Sequence, residues 1–538
     1  MSAPATVYAA FRDTISRFGD RPYLAVLPET AAVYGIPAGE ITYSAAASRV
    51  DALSARYREA GYGSGHRVGI LLENRPDFFL HFLALNALGA SVVPINPDLR
   101  AAELEYLIGH SEMVLAIGIP ARQADLRAAA AAIGGRVPVI GPDNAPPPSP
   151  SPGGAPGNTP SAEAALLYTS GTTGQPKGCV VSQTWFLRCG RWYAEMGGAC
   201  TLRPGEERML TPLPTFHMNA FATSGMAMLM SGGCLIVLDR FHPRTWWDSA
   251  ARARATIVHW LGVMPAMLMS LPQSSAERAH AIRFAFCPGP DRRLHAAAEA
   301  RFGIPLIDAW AMTETGGGAV VCANIEPRRI GESCFGKLPD FMQARIVSDD
   351  GTDTAPDEPG ELLVRHAGPD PRHGFFTEYL KDQEATEAAW EGGWFHTGDI
   401  VQRDAGGDFF FIDRKKNVIR RSGENIAAVE VESVLLQHPK VHAVAVAAVP
   451  DAVRGDEVLA CIVAEGPVAD RAATAHDIVT WCLSRLAYYK APGYIAFVDA
   501  LPLTATNKVQ RGELKTLAHR LALAPETIDT RTMKKRAA

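Results

Sequence analysis

No apolar run in this chain is long enough to cross a bilayer. The longest, at 226–238, is broken by Ser231-Gly232-Gly233 and falls short of the roughly 20 apolar residues that a spanning helix needs. An excess of one charge is also missing. The 52 basic residues stand against 57 acidic ones, a net charge of −5, which excludes the basic footprint of a nucleic-acid binder. Cysteine pairs are absent too: nine cysteines, scattered from Cys179 to Cys482, include no C-x-x-C. That spacing argues against a disulfide framework or a zinc site and for reduced thiols in a cytoplasmic protein. Residues 1–12 have no basic segment leading into an apolar core, so no secretory signal is expected.

What the chain does have is length and pattern. At 538 residues, 47% hydrophobic and 20% charged, it can fold into two or more domains with large cores. From residue 67 onward buried strands alternate with helices: strands at 68–72, 91–95 and 113–117, helices at 77–88 and 101–109. A second series has strands at 234–238, 256–259, 282–286 and 305–307, with helices at 243–254, 265–271 and 292–302. Such alternation predicts right-handed βαβ units on parallel sheets. Residues 331–412 carry short β-branched and aromatic segments and read as a small antiparallel subdomain. After Asp413 the run Arg414-Lys415-Lys416 opens a compact α+β unit, with helices at 429–437 and 475–487 and strands at 441–449, 458–464 and 494–498. The polar, basic residues 525–538 read as a frayed tail.

The most telling stretch follows three strand-like residues, Leu166-Leu167-Tyr168. It runs Thr169-Ser170-Gly171-Thr172-Thr173-Gly174-Gln175-Pro176-Lys177-Gly178. Glycines let backbone N–H groups turn toward an anion, hydroxyls add donors, and a lysine offsets phosphate charge. By its chemistry this is a polyphosphate loop. It is not G-x-x-x-x-G-K-[ST], because Pro176 precedes Lys177 and Gly178 follows it.

This loop resembles the phosphate loop of the adenylate-forming superfamily, which comprises acyl-CoA synthetases, luciferases and the adenylation domains of peptide synthetases. Further motifs agree, in the family's order. Leu213-Pro214-Thr215-Phe216-His217 is similar to the motif whose aromatic or histidine gates the carboxylate pocket, and Phe221 follows it. Amino-acid-activating members carry an aspartate where this chain has His217, which argues against an α-amino acid. Cys287-Pro288-Gly289-Pro290-Asp291 resembles the adenine-flanking loop. Asp308-Ala309-Trp310-Ala311-Met312-Thr313-Glu314 resembles Tyr-Gly-x-Thr-Glu, with Trp310 for tyrosine and Ala311 for glycine. Trp394-Phe395-His396-Thr397-Gly398-Asp399 resembles the ribose motif, and Arg414-Lys415-Lys416 followed by Ser422-Gly423-Glu424-Asn425 the hinge. Leu503-Thr504-Ala505-Thr506-Asn507-Lys508 resembles the motif of the catalytic lysine, with Asn507 for glycine.

The resemblance implies an α/β fold. A large N-terminal domain, 1–413, would hold two βα sheets and the β subdomain, and a mobile α+β domain, 414–524, would precede the tail. The Pro-rich segment 143–161, a linker by composition, would then be a mobile surface loop inside the first domain. The implied activity is formation of acyl-AMP from a small-molecule carboxylic acid and ATP, then of a thioester with coenzyme A. Magnesium would sit on Glu314. Thr313 would bind the α-phosphate, Asp399 and Arg414 the ribose, and Lys508 would neutralise charge, with Lys416 as the pivot. Gly423 and Glu424 would flank the pantetheine arm. Gly316 and Gly317 leave room for substrate or form a flexible turn.

Two rival readings are an adenylate ligase that delivers to a carrier protein or an amine, and a non-catalytic adenylate-binding module. The hinge, Arg454-Gly455-Asp456-Glu457 and Lys490-Ala491-Pro492 look closest to crotonobetaine/carnitine–CoA ligases. A quaternary ammonium substrate would want aromatic faces, for which Trp310, Phe216, Phe221 and Trp260 are candidates. A monomer and a homodimer are both compatible with the sequence.

Overall fold

The computed structural model describes residues 3–135, 137–155, 157, 159–169, 175–414, 418–502 and 509–535. Contacts divide the chain into two compact units. One is Met1–Pro97, Ile108–Leu167 and Gly178–Asp413; the other is Asp98–Leu107, Tyr168–Lys177 and Arg414–Ala538.

The large unit is built on the two alternating series. One seven-stranded sheet runs Glu378–Tyr379, Lys177–Ser182, Glu163–Thr169, Ser91–Pro94, Arg67–Leu71, Leu115–Gly118, Val139–Ile140. The other runs Leu306–Ile307, Phe284–Phe286, Ile257–His259, Arg208–Thr211, Cys234–Val237, Pro22–Val26, Gly39–Thr42. Strands such as Ser91–Pro94, Leu115–Gly118 and Cys234–Val237 are buried at every position. That is the expected pattern for parallel strands covered on both faces. One strand crosses between the series: Pro22–Val26 pairs in parallel with the second sheet, Leu24 opposite Leu235. Periodicity gives no hint of that pairing.

Aromatic residues fill the covered faces. Phe78, Phe82, Phe186 and Phe221 form one cluster, with Phe82 and Phe221 ring centroids 4.6 Å apart. Trp246, Trp247, Trp260 and Phe302 form another. Burying one such ring contributes about 1.5–3 kcal/mol. A third, five-stranded antiparallel sheet runs Cys334–Gly336, Phe409–Arg414, Phe395–Arg403, Gly360–His366, Met342–Val347.

The Pro-rich segment is strapped down. Ser149 and Gly153 N–H groups donate to the Ala60 and Gly61 carbonyls (2.7 and 2.9 Å), and Gly154 bridges Ser64 in both directions. A methyl on Gly63 would meet the Gly154 carbonyl at 2.6 Å, so the two backbones touch through glycines. Residues 149–154 are therefore anchored rather than the mobile loop expected.

In the second unit, strands Glu424–Ala427, Val418–Arg421, Gly455–Ala464, Tyr494–Phe497 and Ile528–Asp529 lie side by side, and Val441–Asp451 also pairs with Gly455–Ala464. The tail differs from its expected frayed state. Ile528–Asp529 adds a strand to Tyr494–Phe497, the Thr530 hydroxyl donates to the Pro492 carbonyl at 2.8 Å, and Arg531 lies over the Tyr494 ring. Lys534 is fully buried against Glu457, which also takes both hydrogen bonds of the Arg421 Nε (2.8 and 2.9 Å). Polar composition misled because the charged groups are paired in the interior. Among the described residues no helix is long and apolar enough to cross a membrane.

Candidate active site

The phosphate-type loop joins two strands of one sheet. Glu163–Thr169 ends at its first hydroxyl and Lys177–Ser182 begins at its lysine. Ser170, Gly171, Thr172, Thr173 and Gly174 lie outside the described residues. Pro176, just before Lys177, accepts from the Tyr106 hydroxyl at 2.9 Å. A helix starts only after the second strand, at Gln183–Glu195, capped by Ser182. The loop thus differs in setting from a strand-to-helix P-loop, as its sequence suggested.

Glu314 sits in a tight turn that starts at Met312, where the Thr315 and Gly316 N–H groups return to the Met312 carbonyl. Three neighbours fix that turn. The Trp185 indole N–H donates to the Thr313 carbonyl at 3.0 Å, and the Phe376 N–H to the Glu314 carbonyl at 2.8 Å. The Tyr379 hydroxyl donates to Glu314 Oε1 at 3.0 Å. Tyr379 lies on the short strand Glu378–Tyr379, opposite Cys179 of Lys177–Ser182. The strand that leaves the phosphate loop therefore also carries, across one ladder, the donor that holds Glu314. Burial first, and the Glu314 charge second, push the Tyr379 phenol far above its ordinary range, so it remains a donor.

Gly316, Gly317 and Gly318 follow the turn because other atoms occupy their side-chain space. A methyl on Gly316 would strike the Trp185 indole, one on Gly317 the backbone at Arg188 and Cys189, and one on Gly318 the Phe375 ring. On that side the room is taken up by the protein itself.

A second carboxylate cluster lies in the same unit. Asp308 Oδ1 accepts from the N–H groups of Gly289 and Ala309, both at 2.8 Å, and so ties two of the motifs together. Gly289 has φ +66°, and a methyl on Gly262 would overlap its carbonyl, so Gly262 belongs to this arrangement although no motif singled it out. Strand Ala309–Trp310 then pairs antiparallel with Val321–Cys322. From it, the Trp310 indole N–H donates to Asp399 Oδ2 at 2.8 Å. The backbone around Asp399 is fixed as well. Its N–H donates to Thr397 Oγ1, the Thr397 hydroxyl to the Leu362 carbonyl at 2.7 Å, and the Gly398 N–H to Glu361. Gly398 takes φ +68°, and the ladder slips register between Glu361 and Leu363 opposite it.

Of the carboxylate-pocket candidates, Phe216 and His217 are half-buried, ring centroids 4.4 Å apart, in a turn closed by the His217 N–H on the Pro214 carbonyl. Phe221 and Trp260 are buried at 1% and 0% exposure inside the two aromatic clusters. They are core residues, and neither forms a cage for a cation.

In the second unit Ser422 and Gly423 are the two turn residues of a hairpin, with φ +52° and +91°. Positive φ at both positions is the type I′ signature. The Arg454-Gly455-Asp456-Glu457 stretch clamps this hairpin. The Ser422 N–H donates to the Arg454 carbonyl at 2.9 Å, the Arg420 N–H to Asp456 at 3.0 Å, and Arg421 pairs with Glu457. Arg414 ends strand Phe409–Arg414, but its side chain, Lys416 and Lys508 lie outside the described residues. The flanks of 503–508 are fixed: the Gln510 N–H donates to the Pro502 carbonyl at 2.8 Å, and Arg511 makes a fork on Glu432 (2.6 and 2.9 Å).

Three buried, oriented carboxylates, Glu314, Asp308 and Asp399, beside adenylate-type motifs define a nucleotide-handling α/β enzyme. Residues 17–371 match the AMP-binding enzyme family and residues 430–508 the AMP-binding enzyme C-terminal domain, and the chain belongs to this family. It is 34% identical over 532 residues to a sulfoacetate–CoA ligase of Cupriavidus necator, covering 96% of this chain and 98% of that one. A crotonobetaine/carnitine–CoA ligase of Salmonella arizonae is 29% identical, covering 90% and 96%. Among solved structures, a malonyl-CoA ligase in ternary product complex with methylmalonyl-CoA and AMP is 26% identical, with a TM-score of 0.73 over 90% of this chain and 97% of that one.

Proposed function

We infer that the protein is an AMP-forming acid–CoA ligase: a carboxylic acid and ATP give acyl-AMP and pyrophosphate, and coenzyme A then takes the acyl group. The observation that carries this is the likeness to CoA ligases along 96% of the chain, which spans both family domains. Among the described residues no three His, Cys, Asp or Glu side chains come together as a metal cage. Magnesium bound through one or two carboxylates and the substrate's phosphates needs no cage, so Glu314 alone fits it. When bound there, the ion neutralises charge on the phosphate oxygens.

In the first half-reaction an acid oxygen attacks the α-phosphorus of ATP, and the bond to pyrophosphate breaks. Thr313 donates to the α-phosphate, Lys177 and the hydroxyls from Thr169 to Thr173 hold the departing phosphates, and Lys508 meets the developing charge. Asp399 accepts the ribose hydroxyls, Arg414 adds a cation beside them, and Trp310, Gly289 and Pro290 bound the adenine. In the second half-reaction the thiol sulfur attacks the acyl carbon and AMP leaves. We assign the domains as 1–413 and a small domain from 414 that keeps the tail through Lys535 and turns about Lys416. That turn withdraws Lys508 and brings in Gly423 and Glu424. The nine cysteines, none of them in a disulfide and eight of them buried, fit a reducing compartment, and we place the protein in the cytoplasm.

The acid, on our reading, is short and carries a second charged group. The relatives are named for sulfoacetate, malonyl and carnitine substrates, while Phe221 and Trp260 are taken up by the core. Pyrophosphate release measured over sulfonate, dicarboxylate, betaine and fatty acids tests this; turnover confined to fatty acids overturns it. Lys508→Ala should lower adenylation by about 10²–10³. Thioester formation from synthetic acyl-AMP should largely survive that change. Equal loss of both steps would contradict the moving lysine, and pyrophosphate release without CoA consumption would contradict the acceptor.

A further inference from the structure

Asp399 is 2% exposed, and a polar group so buried needs hydrogen-bond partners. One of its partners comes from 89 positions earlier in the chain: the indole N–H of Trp310, at 2.8 Å on Oδ2. Both ends of this bond are rigid. Trp310 is 6% exposed, sits on a strand paired with Val321–Cys322, and packs toward Phe335 with ring centroids 6.2 Å apart. Asp399 is set by the Thr397 and Gly398 contacts and the register slip beside them. A hydrogen bond onto one carboxylate oxygen fixes the O–C–O plane and hence the directions of its lone pairs. A tyrosine ring in the same slot would carry its O–H along the ring's long axis. The indole N–H leaves from the side of the bicycle, so reaching Asp399 is a property of tryptophan here.

We propose that Trp310 is a positioning residue, its indole N–H holding the Asp399 carboxylate in the orientation that selects a ribose cis-diol over a 2′-deoxyribose. The proposal rests on the reading of Asp399 as the ribose acceptor. Without the N–H the carboxylate turns about its Cβ–Cγ bond and meets one hydroxyl as readily as two. The preference for the intact diol then falls, whatever happens to contacts with adenine or phosphate.

Calorimetric titration of the full-length protein with ATP and with 2′-deoxy-ATP, each with magnesium, reads this without knowledge of the acid. The wild type should bind ATP more tightly than 2′-deoxy-ATP. Trp310→Phe should weaken ATP by about tenfold, the scale of a hydrogen bond to a charged group, and 2′-deoxy-ATP much less. The ratio of the two should then fall toward that of Asp399→Asn. Trp310→Tyr refills the slot with a polar ring and should read the same ratio if the phenylalanine variant does not fold. A ratio kept at the wild-type value in the Trp310 variants, while Asp399→Asn abolishes it, overturns the proposal and leaves Trp310 as packing. A ratio unmoved by Asp399→Asn overturns the ribose reading itself, and the proposal falls with it. A merely structural loss at Trp310 would weaken both nucleotides alike.

Discussion

Glu314 is held from the side by the phenol of Tyr379 and from behind by its own turn. Tyr379→Phe keeps the ring and removes the donor, so the carboxylate gains freedom without a cavity. Its apparent affinity for magnesium in ATP–pyrophosphate exchange should fall roughly tenfold, the scale of a hydrogen bond to a charged group, with the rate at saturating magnesium little changed. A drop in the saturated rate alone would assign Tyr379 to the chemistry. Charge balance decides a second case. Glu457 is one carboxylate between the Arg421 guanidinium and Lys534, with all three side chains at 2% exposure or less. Lys534→Met still leaves Glu457 paired with Arg421 and should be mild. Glu457→Gln strands cationic groups in the interior and should cost about 3–5 kcal/mol in denaturant unfolding.

Among elements, the Ser422-Gly423 hairpin makes the strictest demand on its sequence, since both turn residues need φ > 0. Gly423→Val should cost about 1–3 kcal/mol of the hairpin's stability and slow thioester formation more than adenylation, as separate assays of the half-reactions would show. This stretch could be singled out in the sequence because Gly423 stands in a motif whose residue types have few other uses together. So could Thr313-Glu314 and Thr397-Gly398-Asp399, and the buried parallel strands, whose apolar runs need both faces covered. Contacts between distant segments were not legible. Nothing near residue 310 in sequence points to Asp399, nothing in Pro22–Val26 points to Cys234–Val237, and the two-residue strand that carries Tyr379 is too short to have a period. The tail was misread because pairing in space, rather than polarity, decides whether Arg531 and Lys534 are inside.

For the molecule as a whole, that buried lysine gives stability a dependence on pH. Desolvation first, then the Arg421 charge, bring Lys534 down to about 7 from its ordinary 10.5. Between those values the unfolded chain holds a proton that the folded one has released, so stability rises with pH across that window and the gain is absent below pH 7. The unfolding free energy of the wild type minus that of Lys534→Met should climb from pH 7 to 10, by at most about 1.4 kcal/mol per pH unit, as denaturant titrations would show. A flat difference would mean that Lys534 stays charged. Deleting residues 525–538 removes strand Ile528–Asp529, the Arg531 contacts and Lys534 together, and should lower the melting temperature of the small unit.

The buried thiols allow the two units to be followed separately. Seven cysteines belong to the large unit; Cys461 and Cys482 belong to the small one, each pushed up to about 12 by burial. A thiol that is neither exposed nor ionised reacts only while its surroundings are open. Pulsed alkylation read by peptide mass spectrometry would therefore record two opening clocks in one unmodified chain, one at Cys461 and Cys482 and one at the six buried thiols of the large unit.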